Sequence, residues 1–196
     1  GTDLGFQYIK KFGFSTISDK DNTQALAIGG ITYGVTNMEL TAAYAAIANK
    51  GSYIRPHLYS KVLDRDGKVL LSQETPSPQQ VIKPTTAWLL TNAMQDVMTR
   101  GTGKDANIKG ITLAGKTGTT NDERDYLMEG YSGYYTVGLW GGYDDNSPQT
   151  SSAYSKKIWK KIMSRIHEGK SDRSFDMPQG ITQTSVCSVS GKLPLP

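Results

Sequence analysis

One short run of residues carries the clearest chemical signal in this sequence. Residues 110–120 are Gly-Ile-Thr-Leu-Ala-Gly-Lys-Thr-Gly-Thr-Thr. Counted from Gly110, the run fits G-x-x-x-x-G-K-[ST], the pattern of a phosphate-binding P-loop. Counted from Lys116, it is K-T-G, a triad of serine-dependent acyl-transfer enzymes. The two chemistries require different local structures, so the neighbouring residues distinguish between them.

The residues around the motif argue against phosphate binding. A P-loop needs a flexible loop between its two glycines and a helix that begins at the lysine. Residues 111–114 are instead β-branched or apolar, and residues 119–122 show no helix signal. Asp122 and Glu123 would also repel a triphosphate. The context therefore favours K-T-G over nucleotide binding.

K-T-G requires a lysine within a strand, and the sequence predicts a strand over residues 111–119. Side chains alternate between the two faces of a strand. One face is predicted to carry Lys116, Gly118 and Thr120, and the other Thr117 and Thr119. Gly118 would let a substrate backbone lie close to the strand.

Helix signals occur at four places around this strand. A helix is predicted from Asp3, as N-cap, to Phe12, and a second from the capping box Thr36–Glu39 to Asn49. A third begins at Pro84 and ends before Gly101, and a fourth begins at Ser147-Pro148. Apolar residues at helical spacing predict three buried faces: Leu40, Ala43, Tyr44 and Ile47; Trp88, Leu89, Ala93, Met94 and Val97; Tyr154, Ile158, Ile162 and Ile166.

The remaining strands complete an α+β fold. Residues 59–71 form a predicted hairpin, and residues 73–84, with three prolines, a surface connector. Strands over residues 126–131 and 135–142 are predicted to join residues 111–119 in a three-stranded antiparallel meander that the fourth helix covers. We assign residues 1–168 to this domain and residues 169–196 to an irregular tail.

Composition limits the possible functions. The chain has 196 residues, of which 37% are hydrophobic and 20% charged, as expected of one globular domain. The net charge is +4, but the basic cluster over residues 156–165 has the spacing of a solvated helix face, so no nucleic-acid partner is expected. One cysteine and two histidines cannot build a zinc cluster, and we expect no metal or other cofactor. The sequence has no apolar run that could span a membrane.

Six stretches of the sequence, taken in order, resemble the C-terminal half of the transpeptidase domain of class A, bifunctional penicillin-binding proteins. They are residues 26–30 with 34–36, 40–49, 101–103, 115–121, 138–144 and 186–191, and the third and fourth contain Gly-Thr-Gly and Gly-Lys-Thr-Gly-Thr-Thr-Asn. Residues 125–128, Asp-Tyr-Leu-Met, differ from the aromatic Asp-Ala-Trp-Phe type of segment in the family. The resemblance implies the fold shared by penicillin-binding transpeptidases and serine β-lactamases.

The resemblance also implies a reaction and roles for individual residues. A serine would attack the D-alanyl-D-alanine bond of a peptidoglycan stem peptide, or a β-lactam that mimics it. Lys116 would hold the active-site hydroxyls and the substrate carboxylate, Thr117 would bind that carboxylate, and the Thr119 N–H would form one arm of the oxyanion hole. Lys116 and Thr119 are thus the catalytic candidates. The substrate-binding candidates are Lys116, Thr117, Gly118, Thr119 and Thr120, and the candidates for the cleft rim are Gly101, Thr102, Gly103 and Asn121.

The family's Ser-x-x-Lys and Ser-x-Asn motifs do not occur in this sequence. We expect both on an N-terminal portion of the same domain that would precede Gly1, so this chain should bind substrate without being acylated alone. The parent protein is then expected to carry a glycosyltransferase domain and a membrane anchor. It would cross-link the cell wall at the extracytoplasmic face of the bacterial cytoplasmic membrane.

Other functions share part of this pattern. A β-lactamase or a β-lactam sensor would also contain K-T-G, but it would not be expected to carry the whole ordered set of stretches. A non-catalytic module of the same fold, which binds the cell wall or a β-lactam, remains an alternative for the isolated chain.

Overall fold

Helices and groups of short antiparallel strands follow one another along the chain. The computed structural model describes residues 1–73 and 76–193. In chain order, the elements are α1 (Thr2–Lys10), α2 (Asn37–Ala48), β1 (Ser52–Tyr53), β2 (Lys61–Leu63), β3 (Val69–Ser72), β4 (Gln79–Gln80), α3 (Pro84–Thr99), β5 (Ala114–Thr119), β6 (Asp125–Tyr131), β7 (Thr136–Gly142) and α4 (Ala153–Ile166). The predicted α+β class is confirmed.

Strands β5, β6 and β7 form the predicted antiparallel meander. Their order in the sheet is the same as in the chain. Lys116 lies opposite Glu129, which in turn lies opposite Gly138. Opposite residues share a face of the sheet, so these three positions lie on one face, whereas Thr117 and its partner Met128 lie on the other.

β5 begins at Ala114, three residues later than predicted. Thr112 donates its N–H and its hydroxyl to the two carboxylate oxygens of Asp172, at 2.6 and 2.8 Å. Because these groups bond the C-terminal segment, residues 111–113 do not extend the ladder with β6.

Helix α4 covers the face of the sheet that carries Met128. Trp159 and Met163 of α4 form one buried cluster with Met128. The indole N–H of Trp159 donates to the carbonyl of Val137 at 2.9 Å. The indole ring lies over Gly130, and a Cβ atom on this glycine would be 2.7 Å from the ring. The missing side chain at this glycine therefore makes room for the indole.

The predicted buried face of α4 is wrong in the middle of the helix, although Tyr154 is half-buried and Ile166 packs against the buried cluster at the end. Ile158 and Ile162 are 44% and 40% exposed, whereas Trp159 and Met163 are fully buried. Both stripes have helical spacing, so the pattern alone does not choose between them. The indole ring fits the gap in the sheet and turns the helix by one residue relative to the prediction.

α4 also begins later than predicted, at Ala153 instead of Ser147. The N–H of Gln149 donates to the carbonyl of Glu123, and its side-chain amide donates to the carbonyls of Arg124 and Gly141. These bonds hold the segment against the sheet in a non-helical conformation.

Helices α2 and α3 lie on the remaining sides of the sheet, α2 against β6 and β7 and α3 against β5. In α2 the predicted cap is confirmed, because the Thr36 hydroxyl accepts the N–H of Glu39 at 3.2 Å. Its buried residues are Ala42, Ala43 and Ala46. Of the predicted stripe only Ala43 is buried, and Leu40, Tyr44 and Ile47 are half-buried.

The predicted face of α3 is also wrong, with one exception. Its buried residues are Ala87, Thr91, Met94 and Met98, of which only Met94 belongs to the predicted face. Leu89, another residue of the predicted face, is 55% exposed. The hydroxyl of Thr91 bonds the hydroxyl of Tyr131 at 2.7 Å. A buried polar pair of this kind cannot be found from the spacing of apolar residues.

The remaining elements differ from the predictions in detail. α1 begins at Thr2 and ends at Lys10, and Asp3 lies within its first turn instead of capping it. The predicted hairpin is present as β2 and β3. Part of the predicted connector is a strand, since β4 pairs with β1. Residues 74 and 75 of the connector and 194–196 of the tail lie outside the described residues, and the domain limits stay a prediction.

No helix in the described ranges is long and apolar enough to cross a membrane. Residues 169–193 of the tail contain neither helix nor strand, but they contact the body of the chain through Asp172 and Phe175.

We predict that Trp159→Ala lowers the free energy of unfolding by about 3–5 kcal/mol, because it empties a fully buried site. The matched control is Ile158→Ala, one residue earlier on the exposed side of α4, with an expected loss below about 1 kcal/mol. Urea unfolding of both variants followed by circular dichroism measures the difference. Similar losses for the two variants would contradict the packing of α4.

Candidate active site

The K-T-G motif lies on a strand with one open edge. β5 is the outer strand of its sheet. The N–H of Thr120 donates to the carbonyl of Asp125 on the β6 side, at 3.1 Å. Residues of an antiparallel strand alternate in the direction of their backbone groups. The N–H and C=O groups of Thr117 and Thr119 therefore point to the open edge, where an extended chain could pair with them.

A cavity of about 380 Å³ lies beside the motif. Residues 116–120 form one wall, and Leu127, Glu129 and Trp140 from β6 and β7 form its floor. Leu40 and Tyr44 of α2 and residues of the segment 28–35 close the other sides. The structure thus brings all five residues of the predicted substrate-binding set to one cavity.

Lys116 extends along the strand edge. Its side chain is exposed, and its Nζ atom donates to the carbonyl of Thr117 at 2.7 Å. In the described part of the chain, no carboxylate lies within 4.0 Å of this ammonium group. Most of its hydrogen-bonding capacity is therefore free for a ligand at the edge.

Thr102, a candidate for the cleft rim, contacts the motif directly. Its hydroxyl bonds the hydroxyl of Thr117 at 2.7 Å. The two threonines also line a second cavity, of about 210 Å³, on the face of the sheet that α4 covers. Thr102 can therefore fix the orientation of the Thr117 hydroxyl.

The other rim candidates do not reach the main cavity. Gly101 and Gly103 pack against Val97 at the end of α3, where a Cβ atom on either glycine would come within 3.1 Å of backbone atoms. They terminate the helix and present Thr102. Asn121 is exposed in the turn Asn121–Glu123 and does not line the cavity.

Thr120 is held by its neighbour on β6. Its hydroxyl donates to one carboxylate oxygen of Asp125 at 2.8 Å and accepts the Asp125 N–H at 2.8 Å. The other oxygen of Asp125 accepts the indole N–H of Trp140 at 2.8 Å. This network fixes one end of the cavity and engages the hydroxyl of Thr120 within the chain.

Sequence reasoning missed Glu129, a buried acid directly opposite Lys116. Glu129 is 2% exposed, and neither carboxylate oxygen has a hydrogen-bond partner in the residues described. Burial raises the pKa of Glu129 to about 8. The signal in the sequence was an acid at an inward position of the predicted meander, across from the K-T-G lysine.

The segment that closes the cavity is anchored by Asp21. The two carboxylate oxygens accept the N–H and hydroxyl groups of Thr32 and of Ser18, at 2.7 to 3.1 Å. The hydroxyl of Thr32 contributes most to holding the pKa of Asp21 well below its usual range. These four bonds fix the path of the chain on both sides of residues 24–31.

A serine and a histidine also meet, but in the interior. Ser132 Oγ lies 2.7 Å from Nε2 of His167, whose Nδ1 lies 2.7 Å from the carbonyl of Met163. Both residues are 5% exposed. This pair ties the β6–β7 turn to the end of α4 and is closed to a substrate.

Comparisons with known proteins agree with the resemblance found in the sequence. The family model described as "Penicillin binding protein transpeptidase domain" matches residues 1–164. Penicillin-binding protein 1A of Clostridium tetani is 36% identical over 99% of this chain. Penicillin-binding protein 4 of Bacillus subtilis is 37% identical over 74% of it. The chain spans 26% and 23% of the length of these two relatives.

Solved structures support the same fold. Penicillin-binding protein 1A of Haemophilus influenzae superposes with a TM-score of 0.82 at 21% identity, over 99% of this chain and 35% of that one. PonA1 of Mycobacterium tuberculosis, in complex with penicillin V, gives a TM-score of 0.70 at 23% identity, over 88% of this chain and 51% of that one. The predicted penicillin-binding fold is therefore confirmed.

The match to the family model covers most of the chain, and the similarity to the Clostridium tetani relative extends over nearly all of it. The chain therefore belongs to the penicillin-binding protein transpeptidase family.

Proposed function

We propose that this chain supplies one half of a peptidoglycan D,D-transpeptidase site, the half that binds the substrate carboxylate and stabilises the oxyanion. The observation that carries the proposal is the open edge of β5, where the N–H groups of Thr117 and Thr119 point outward and the Lys116 ammonium group lies at the carbonyl of Thr117. The substrates would be stem peptides that end in D-alanyl-D-alanine. Family membership supports the reaction class, a serine-dependent acyl transfer.

The open edge of β5 suits an extended peptide. A peptide strand that adds to a sheet edge gains main-chain hydrogen bonds, and its side chains alternate between the faces. The absence of a side chain at Gly118, between the two residues that face the edge, leaves room for such a chain on the cavity face. A β-lactam that mimics the substrate would occupy the same edge; PonA1 of Mycobacterium tuberculosis, which shares the fold, forms a complex with penicillin V.

Lys116 and Thr117 would hold the terminal carboxylate of the substrate. The ammonium group supplies the opposite charge, and the Thr117 hydroxyl supplies a directed hydrogen bond. Thr102 lies within hydrogen-bonding distance of that hydroxyl. If Thr102 donates, Thr117 keeps its own proton for the carboxylate, so Thr102 is a positioning residue.

The backbone N–H of Thr119 would stabilise the negative oxygen that forms when the serine attacks. Such donors typically lower the barrier by about 3 kcal/mol, because they are already oriented before charge develops. The ladder between β5 and β6 fixes this N–H in place.

The nucleophile would come from an N-terminal portion of the domain that carries Ser-x-x-Lys and Ser-x-Asn, neither of which occurs in this chain. Its serine oxygen would form an ester with the penultimate D-alanine and release the terminal D-alanine as the amine. The amine of a second stem peptide would then displace the serine and form the cross-link. The parent protein would act at the extracytoplasmic face of the cytoplasmic membrane.

We predict that this chain alone is not acylated by a fluorescent penicillin, whereas the parent protein is acylated on the serine of Ser-x-x-Lys. Intact-mass spectrometry after incubation detects the covalent adduct in both samples. An adduct on the isolated chain would refute the division of the site. No adduct on the parent would favour a non-catalytic binding module.

We predict that Thr117→Val in the parent protein lowers the second-order rate of penicillin acylation about 10- to 100-fold. The reason is that a hydrogen bond to a charged group contributes about 1.5–3 kcal/mol. The control is Thr136→Val, the same change on β7 at a position that lines neither cavity. Stopped-flow labelling gives both rates. Equal rates for the two variants would show that the Thr117 hydroxyl does not contribute to acylation.

A further inference from the structure

Glu129 and Lys116 form a cross-strand pair on one wall of the cavity. They are opposite residues of β6 and β5, and both line the cavity. Thr120 and Asp125, four residues further along the same ladder, form a hydrogen-bonded pair. Such pairs recur at every second residue of an antiparallel ladder, so Lys116 and Glu129 also form one, with Cα atoms about 5.5 Å apart. The two side chains share one face of the sheet, but the carboxylate of Glu129 lies over Gly138 of β7, on the side of β6 away from Lys116.

The carboxylate of Glu129 has little to stabilise its charge, because the nearby Thr41 hydroxyl offsets only part of the rise in pKa that burial causes. Both oxygens are buried without a hydrogen bond from the residues described. The neighbouring Thr41 hydroxyl donates to the carbonyl of Asn37 at 2.7 Å instead. A buried carboxylate without donors is costly, so it either keeps a proton or attracts a cation.

Lys116 is the cation best placed to reach this carboxylate. Its ammonium group makes one hydrogen bond, to the carbonyl of Thr117 at the strand edge. Pairing would require rotation of both side chains: the lysine from the edge toward the cavity floor, and the carboxylate of Glu129 away from Gly138. The other titratable groups that face Glu129 are acids or phenols, namely Tyr44 on α2 and Asp125 and Tyr131 on β6.

We propose that Glu129 is a positioning residue for Lys116, whose ammonium group it draws from the open edge of β5 into the cavity when its carboxylate is ionised. The proposal rests on the proposed function, because withdrawal of the lysine matters only if a substrate carboxylate binds at that edge. With Glu129 neutral, the lysine stays at the edge and the site can bind substrate. With Glu129 ionised, the two side chains pair and the edge loses its cation.

The pH at which this change occurs follows from the burial of Glu129. Because burial raises the pKa of Glu129 to about 8, the acid is neutral at neutral pH and ionises in mildly alkaline solution. Tyr44, on the opposite wall, has its pKa raised to about 12, mainly by burial. It therefore stays neutral throughout this range and does not compete for the lysine.

The first test is a titration of Glu129 in this chain by carbon-13 NMR of glutamate carboxyl groups, assigned with Glu129→Gln. We expect Lys116→Met to raise the pKa of Glu129 by about one unit, because the ionised form loses its cation. The control is Lys109→Met, which removes an exposed lysine before β5 and should leave the titration unchanged. An unchanged titration in Lys116→Met would overturn the proposal.

The stability of the chain tests the burial of the acid. The folded pKa of Glu129 lies above the unfolded value, so the native state loses stability as pH rises from about 4.5 to about 8. Relative to Glu129→Gln, the wild-type unfolding constant should increase up to about tenfold per pH unit in this window. Glu168→Gln, which changes an exposed acid, should follow the wild type. No difference between wild type and Glu129→Gln would overturn the burial on which the proposal depends.

The functional test uses the parent protein and its rate of acylation by a fluorescent penicillin between pH 6 and pH 9.5. We expect the wild-type rate to fall above about pH 8. The factor by which the Glu129→Gln rate falls should be at least about threefold smaller, because glutamine cannot attract the lysine. Parallel profiles would overturn the proposal. If the parent is not labelled at any pH, the proposed function fails, while the NMR titration still tests the pairing of Lys116 with Glu129.

Discussion

The register of β5 against β6 is the constraint on which the rest of the structure depends. A shift of one residue would move every side chain of β5 to the opposite face. Lys116 would then point toward α4, and the side chain of Thr117 would move to the face that carries Glu129. The hydrophobic cluster around Trp159 prevents such a shift in β6, because Met128 must face α4 to join it. Packing on one face of the sheet thus determines which part of the K-T-G motif meets the cavity on the other.

Two glycines allow helices to approach this sheet from both faces. Gly130 leaves room for the indole of Trp159, and Gly138 leaves room for Thr41 of α2. A Cβ atom at Gly138 would also lie 2.6 Å from both carboxylate oxygens of Glu129. The close approach of α2 is therefore the cause of the burial of this acid, and so of its raised pKa.

Local signals in the sequence predicted more than tertiary ones. The cap of α2 depends only on Thr36 and Glu39, which are three residues apart, so the sequence alone located it. The buried faces of α3 and α4 depend on partners far along the chain, such as Tyr131 for Thr91 and Gly130 for Trp159. Apolar spacing contains no information about those partners. The face predictions failed for this reason although the helices themselves were found.

The same distinction applies to the candidate site. The context of K-T-G indicated a strand, because extension along residues 114–119 is a local property. Glu129 entered the site only through the register, which places it across from Lys116. Thr102 was proposed from its motif, but its bond to Thr117 depends on how α3 ends beside β5. Residues contributed by a neighbouring element were therefore harder to predict than residues within the motif.

The site combines fixed and movable groups, and the difference has a physical consequence. The N–H groups at the edge of β5 belong to a strand that is fully paired on its other side, so they keep their direction whether or not a ligand is bound. Lys116 is held at its tip by a single hydrogen bond on a flexible side chain. Under the proposed function, changes in pH or in neighbouring charge would therefore act on the binding of the substrate carboxylate, through the lysine, more than on the proposed oxyanion hole. A buried acid on the next strand is placed to exert that influence without touching the substrate.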